Sequence, residues 1–351
     1  MKISRLSCAG IYVTALVLAG VAFARPLGSS YHLLKKYPFG AAPGNTREYY
    51  DYINVDSSAR RVYLSHGTEV KVIDADDGSL IGNIGPFTMD HGIALAPEFG
   101  RGFVSDGAQG KVLIFDLQTL KIIGEAKAQD DTDCVVYDPA SKRVFAMNGD
   151  SRSSTVIDAK SGSVLRTIDL GGSPEFAVTD GSGTIYANIQ DKNEVVGIDS
   201  ESLAIKSRWP VAPAGGPTAL AMDREHHRLF SSGRKPPMLV VINTDNGKAI
   251  QSFPISSGVD ATDYDADTGL ILASTREGVV HVFHEDSPDK FSVEETVETE
   301  PGARTMGLDT RNHNLFLDTA EFGPPPAPTS ERPHPQPVAV PGTFHVLVYG
   351  R

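Results

Sequence analysis

Seven copies of one short motif run along this chain of 351 residues. Each copy sets a large apolar residue in a strand-like segment: RVYLS around Tyr63, RGFVS around Phe103, RVFAM around Phe145, TIYAN around Tyr186, RLFSS around Phe230, LILAS around Leu272 and NLFLD around Phe316. From Tyr63 to Phe316 the mean spacing is about 42 residues, the length of four short strands joined by tight turns. A unit of that size cannot bury its apolar face alone, so the copies must pack on one another. Alternating β-branched residues bounded by Gly, Asp and Asn fill the intervals, and no sustained helical period follows the first 24 residues. The chain therefore reads as all-β, a seven-bladed β-propeller whose blades have four antiparallel strands.

The rest of each unit repeats as well. Seven residues before the anchors stand Asp56, Ala96, Asp138, Thr179, Asp223, Asp265 and Asp309, and an aspartate there can bond the backbone of the turn that follows. A third strand ends at Asp74, Asp116, Asp158, Asp199 or Asn243, and a fourth follows after a short turn, as in SLIGNI or SVLRTI. Trp209, the only tryptophan, ends a fourth strand and reads as packing. The last copy has no fourth strand of its own after FHVLVYGR. The early segment YHLLKKYPFG lies outside the first copy, so pairing of the N- and C-terminal strands in the last blade would close the ring.

On these residues, the anchor strand, the strand ending in ID, the Gly-containing turn and the fourth strand, the chain resembles the YVTN-type (YncE-like) repeats of bacterial exported propellers over nearly all of its mature length. The family tetrapeptide is replaced here by YLSH, FVSD and YANI. The resemblance implies the fold and an exported protein. It implies no reaction, because propellers host binding scaffolds and enzymes alike.

Lys2 and Arg5 precede an apolar run from Ile11 to Ala22, and Ala22-Phe23-Ala24 offers a cleavage site before Arg25. Residues 1–24 thus read as a signal peptide, and 25–351 as a single domain. The run is shorter than the ~20 residues that span a bilayer, so no stable membrane anchor is expected after cleavage, and the location is periplasmic or secreted. Cleavage removes Cys8 and leaves Cys134 without a disulfide partner, in a segment where it reads as a small buried hydrophobe. A net charge of −12 lacks the basic footprint of a nucleic-acid binder. A monomer is expected.

In a propeller the first strand of each blade lines the central channel. Aligned channel-entrance positions hold Asp51, His91, Asp133, Pro174 with Glu175, Thr218, Asp260 and Arg304. Loops between second and third strands add His66, Asp106, Asn148, Gln190, Arg234, Arg276 and Glu321. From these the candidate ligand-binding residues are His66, His91, Asp106, Asp133, Asn148, Glu175, Asp260, Arg304 and Glu321. Oxygen ligands among them, with Asp133, Glu175 and Asp260 foremost, suit a divalent cation. His66 and His91 with a carboxylate suit zinc or iron. His281 and His284 sit three apart on a strand, where they point to opposite faces, and read as surface and edge groups, as His226-His227 reads as a solvated turn. A Pro-rich insertion, residues 323–342, joins the second and third strands of the last blade on the same face.

Two functions fit. One is a binding or scaffold protein that takes a small ligand or a partner segment at the polar channel mouth, with Arg304 on an anionic group and Asp133, Glu175 and Asp260 accepting hydrogen bonds. The other is a metal-dependent hydrolase or lyase with His91 or His66 as general acid or base. There is no G-x-S-x-G elbow, P-loop or C-x-x-C-H motif. Expressed with its leader in a bacterial host, the protein should be recovered from the periplasm or medium with Arg25 as its first residue, as intact mass spectrometry would report.

Overall fold

The computed structural model describes residues 30–44, 48–329 and 335–351. The expected signal peptide and cleavage point, and residues 330–334 of the Pro-rich insertion, lie outside the described residues. Among the described residues, twenty-eight strands form seven four-stranded antiparallel sheets. Blades 1 to 6 are consecutive, at 53–84, 90–127, 132–169, 174–210, 217–254 and 259–298. Blade 7 takes Met306–Asp309, Asn314–Thr319 and His345–Gly350 from the C-terminal part, and its outer strand is His32–Pro38. The expected closure is thus present, with His32 opposite Gly350 and Pro38 opposite His345. Closure removes the unpaired edge that His345–Gly350 would otherwise present.

The anchors explain why the sheets stand together. Tyr63, Phe103, Phe145, Phe230, Leu272 and Phe316 are fully buried and Tyr186 nearly so. They belong to seven apolar clusters, and each cluster is shared by two adjacent blades, including one between blades 7 and 1. The aspartates before the anchors do turn chemistry: Asp56 accepts from the Ala59 amide (2.8 Å) and Asp138 from Ser141 (3.0 Å). Cys134 is buried, and its thiol, which burial pushes up to about 12, faces the Ala177 amide. Trp209 stacks on Tyr186. No helix among the described residues is long and apolar enough to cross a membrane.

Polar ties sit two residues beyond the anchors and run to the next blade's first strand. Ser65 Oγ donates to the Asp90 carbonyl (3.0 Å), Ser105 Oγ to that of Asp133, Asn188 Nδ2 to that of Ala219 (2.9 Å), and Ser274 Oγ to that of Arg304. Ser232 Oγ meets Thr262 Oγ1 at 2.8 Å. A buried polar group must be paired, so each tie fixes where the neighbouring strand runs.

Two histidine expectations need correction. His284 is buried in its sheet and its Nδ1 lies 3.0 Å from Asp286, while His281 Nε2 accepts from the Ser256 amide (2.8 Å). His226 is no simple solvated turn residue. Its Nδ1 contacts Asp223 (2.6 Å) and Glu285 of the next blade (3.1 Å), joining blades 5 and 6, whereas His227 is exposed beside Asp245. The difference arises because the turn between the first and second strands of blade 5 reaches the end of the third strand of blade 6, where Glu285 stands.

Truncating one anchor should open a cavity between two blades that cannot collapse. Phe145→Ala is expected to lower unfolding stability by about 3–5 kcal/mol in urea denaturation, with little change in the far-ultraviolet spectrum.

Candidate functional site

The side chains at the channel mouth are aimed by a local irregularity that recurs. In blades 2 to 6 the register between first and second strands slips by one residue near the start of the first strand: between Asp90 and Ile93, Thr132 and Val135, Pro174 and Ala177, Pro217 and Ala219, and Val259 and Ala261. The residues in these bulges include His91, Asp133, Glu175, Thr218 and Asp260. A bulge bends the strand and re-aims the extra side chain, here toward the axis. Close passage of the first strands is needed too. A Cβ on Gly92 would come 2.5 Å from the Asp133 carbonyl oxygen.

The aimed residues enclose a cavity of about 230 Å³, lined among others by Asp51, His91, Asp133, Glu175, Asp260 and Arg304. His91 Nδ1 lies 2.8 Å from Asp51 Oδ2 and 3.4 Å from Asp133 Oδ1. The Tyr49 hydroxyl donates to Asp51 Oδ2 (2.9 Å) and stands 2.9 Å from the same nitrogen. The Tyr52 hydroxyl donates to Asp133 Oδ2 (3.3 Å). Asp133 Oδ1, out of contact with solvent, accepts no hydrogen bond among the described residues. Glu175 Oε1 accepts from Gln190 Nε2 (2.6 Å).

The opposite arc is basic. Asp260 lies between two guanidinium groups, Arg234 and Arg304, with Arg304 NH1 at 2.9 Å. Arg304 NH2 also donates to the Tyr50 carbonyl (3.0 Å) and is 3.7 Å from Asp51.

These contacts set protonation. Burial pushes Asp133 up to about 7, reinforced by the Asp51 charge and opposed by His91. Burial, followed by the Asp133 charge, takes Glu175 to about 8. Burial also acts against a charged His91, but the Asp51 hydrogen bond and the two aspartate charges overcome it and raise His91 to about 9. Asp51 goes the other way: burial opposes its charge, and the His91 hydrogen bond and Arg304 hold it below the ordinary range. At neutral pH the acidic arc therefore stores protons, with an imidazolium between two carboxyl groups.

Five of the nine candidate residues, His91, Asp133, Glu175, Asp260 and Arg304, line this cavity; the other four do not. His66 is buried, with its Nε2 2.5 Å from Glu48 Oε1 and its ring stacked on Phe344. Asp106 is buried and accepts from the Thr88 and Met89 amides (2.9 and 3.1 Å). Asn148 accepts from the Gln129 amide (3.3 Å), and Glu321 is exposed outside the cavity. The reason is the twofold alternation of a strand. His66, Asp106 and Asn148 stand three residues past their anchors and turn into the blade, where loop amides need acceptors. Gln190, Arg234 and Arg276 stand four past theirs and face the mouth. The same position holds Gly67, Gly107 and Gly149 in blades 1 to 3 and Ala320 in blade 7. At Gly107 a Cβ would come 2.9 Å from the His91 ring, so small residues there make the room that His91 occupies.

The expected carboxylate set for a cation is also rearranged. Asp260 is taken up by two guanidinium groups, and in this cavity the ligating atoms that converge within 4.8 Å belong to Asp51, His91 and Asp133; a second such set, Asp223, His226 and Glu285, lies between blades 5 and 6. Asp51 was visible in the alignment but not singled out. Tyr49 and Tyr52, which flank it, carry no repeat signal.

Comparison with known proteins adds the fold and stops there. No family model matches the chain, and no curated protein matches it. Among solved structures it resembles a chain of Kuenenia stuttgartiensis hydrazine synthase at 14% identity and a TM-score of 0.68, covering 79% of this chain and 96% of that one. It also resembles a chain of a mitotic checkpoint complex at 12% identity and a TM-score of 0.71, covering 97% and 99%. The chain is a seven-bladed β-propeller.

A pH dependence follows from the stored protons. Glu175 and His91 hold theirs to higher pH when folded than when unfolded, and Asp90, pushed up to about 8 by burial, does the same. A raised folded pKa contributes stability that is present at low pH and lost as pH rises through the folded value. The melting temperature should therefore fall from pH 7 to pH 9, each extra native proton being worth about 1.4 kcal/mol per pH unit. Calorimetry of Glu175→Gln should show a shallower fall.

Proposed function

We propose that this chain is a binding propeller of the YVTN type, exported to the periplasm or beyond, that takes a small polar ligand or a partner segment into its channel mouth and acts as a monomer. One observation carries the reading: one cavity has Asp51, Asp133, Glu175 and His91 on one side and a guanidinium arc on the other. Charged groups are buried only at a cost, and Asp133, which lines the cavity beside His91, is a carboxyl group that a ligand's donor can meet. A molecule bearing both a hydrogen-bond donor and an anionic group meets complementary walls. Nucleic acid is a poor partner for a chain of net charge −12.

Saturating ligand at about 100 times its Kd adds about 2.7 kcal/mol of stability. Thermal-shift screening of the mature protein against amino acids, hydroxy acids and short peptides should find compounds that raise the melting temperature by several degrees. The shift should vanish in Asp133→Ala. A library with no saturable hit, or hits untouched by that variant, would remove this reading.

The convergence of Asp51, His91 and Asp133 within 4.8 Å favours a second reading, a metal-dependent hydrolase or lyase. One imidazole and two carboxylates are a donor set for a divalent transition metal, with positions open toward the cavity. Such a metal would polarise a substrate oxygen or activate water. Plasma mass spectrometry of protein incubated with zinc or manganese would then find about one equivalent, lost in His91→Ala. Absence of bound metal in the wild type would leave the binding reading alone.

A further inference from the structure

Above the channel mouth lies a second, larger cavity of about 590 Å³, walled on one side by Phe322 and by Pro326 and residues 335–339 of the Pro-rich insertion. Its floor shares Tyr49 and Arg304 with the smaller cavity, so the two are adjoining. The flanks of the insertion are tied down in a short antiparallel contact: Val340 N donates to the Glu321 carbonyl (2.7 Å), Gly323 N to that of Val338 (3.0 Å), and Phe322 pairs with Ala339. Gly342 N is held by Glu48 Oε2 (2.6 Å), whose other oxygen meets the buried His66. The wall presented to the cavity by Phe322, Pro335, Pro337 and Val338 is apolar apart from Gln336, and its prolines have no amide to donate.

Arg276 stands on the floor of this cavity. Three guanidinium groups, Arg234, Arg276 and Arg304, come together at this side of the mouth, yet Asp260 is shared by Arg234 and Arg304. Arg276 is exposed to the cavity and makes no ion pair or side-chain hydrogen bond among the described residues. Burial, then the Arg304 charge, holds its guanidinium below the ordinary arginine range, with Asp260 partly opposing them and Arg234 adding a smaller push. A planar fork of donors is thus left without a side-chain partner among the described residues, near two other guanidinium groups and facing the largely apolar wall. Guanidinium pairs with a carboxylate through two parallel hydrogen bonds, and a cavity of this size accommodates a molecule of several hundred Å³.

We propose that the cavity beneath the Pro-rich insertion binds a monocarboxylic organic acid with an apolar body, its carboxylate on Arg276 and its body between Tyr50 and the Phe322–Pro337–Val338 wall. This goes beyond the channel-mouth reading: it places a second, distinct ligand class in the adjoining cavity. A small inorganic anion satisfies the guanidinium but leaves the wall unused, and a neutral analogue does the reverse. Both bind more weakly than the acid.

Isothermal titration of the mature chain with 3-phenylpropanoate, hexanoate, acetate, inorganic phosphate and 3-phenylpropanamide tests this. The two larger acids should bind with 1:1 stoichiometry, at least tenfold more tightly than acetate, phosphate or the amide. Arg276→Gln should weaken them at least tenfold with an unchanged melting temperature, Arg276→Lys should recover part of the loss, and Val338→Asp should weaken them without affecting phosphate. The proposal is overturned if neither larger acid binds, if phosphate binds as tightly, or if Arg276→Gln binds like the wild type. Asp133→Ala separates this from the mouth reading. Acids that bind to Asp133→Ala but not to Arg276→Gln leave the proposal standing even if the mouth takes no ligand. Polar ligands lost in Asp133→Ala, with no acid binding, leave the mouth reading and sink the proposal.

Discussion

One extra residue in the first strand of a blade is the constraint on which this site depends. A regular strand alternates its side chains between the two faces of its own sheet, and both faces of a propeller blade are covered by neighbouring blades. In blades 2 to 6 a register slip lets one side chain escape that alternation and point toward the channel axis, while Asp51 and Arg304 reach the mouth from just before the first strands of blades 1 and 7. The slip is held from outside the strand, since serine or asparagine side chains of one blade bond the first-strand backbone of the next. Packing between blades therefore sets the geometry of the mouth, and the mouth inherits the rigidity of seven shared apolar clusters.

The ring closed by His32–Pro38 gives the same constraint a second role. Asp51 belongs to blade 1 and Arg304 to blade 7, and they face one another only because those blades are neighbours. Around the ring, small residues four past the anchor occupy blades 7, 1, 2 and 3, and long polar ones occupy blades 4, 5 and 6. The acidic groups and His91 fill the space on the first side, and the guanidinium groups reach in from the other. The asymmetry of the repeats thus becomes an asymmetry of charge across one cavity, which a symmetric ring of identical blades could not provide.

Most of the architecture was legible in the residues. The anchor period, the turn aspartates and the displaced outer strand are local or periodic signals, and each has a direct counterpart in the sheets. The channel positions of His91, Asp133, Glu175, Asp260 and Arg304 were legible for the same reason, since alignment to the anchors transfers a place from one blade to the next. His66, Asp106 and Asn148 were misplaced because one residue of offset turns a strand side chain from the mouth into the blade. Counting four past every anchor, rather than three in some copies, would have selected Gln190, Arg234 and Arg276 together with the glycines that make room for His91. Tyr49 precedes the first strand of blade 1 and has no equivalent in other copies, so no repeat could have nominated it.

The sequence alone determined the number of blades, their strand order, the closure of the ring and the type of residue at each channel position, because these follow from periodicity and short-range turn chemistry. Only the tertiary structure decided which charges meet. That His91 lies between Asp51 and Asp133, that Asp260 is spent on two arginines, and that Arg276 is left without a side-chain partner among the described residues beneath the proline wall depends on contacts between residues tens to hundreds of positions apart. Electrostatic interactions act through distance and burial, which no spacing along a chain encodes.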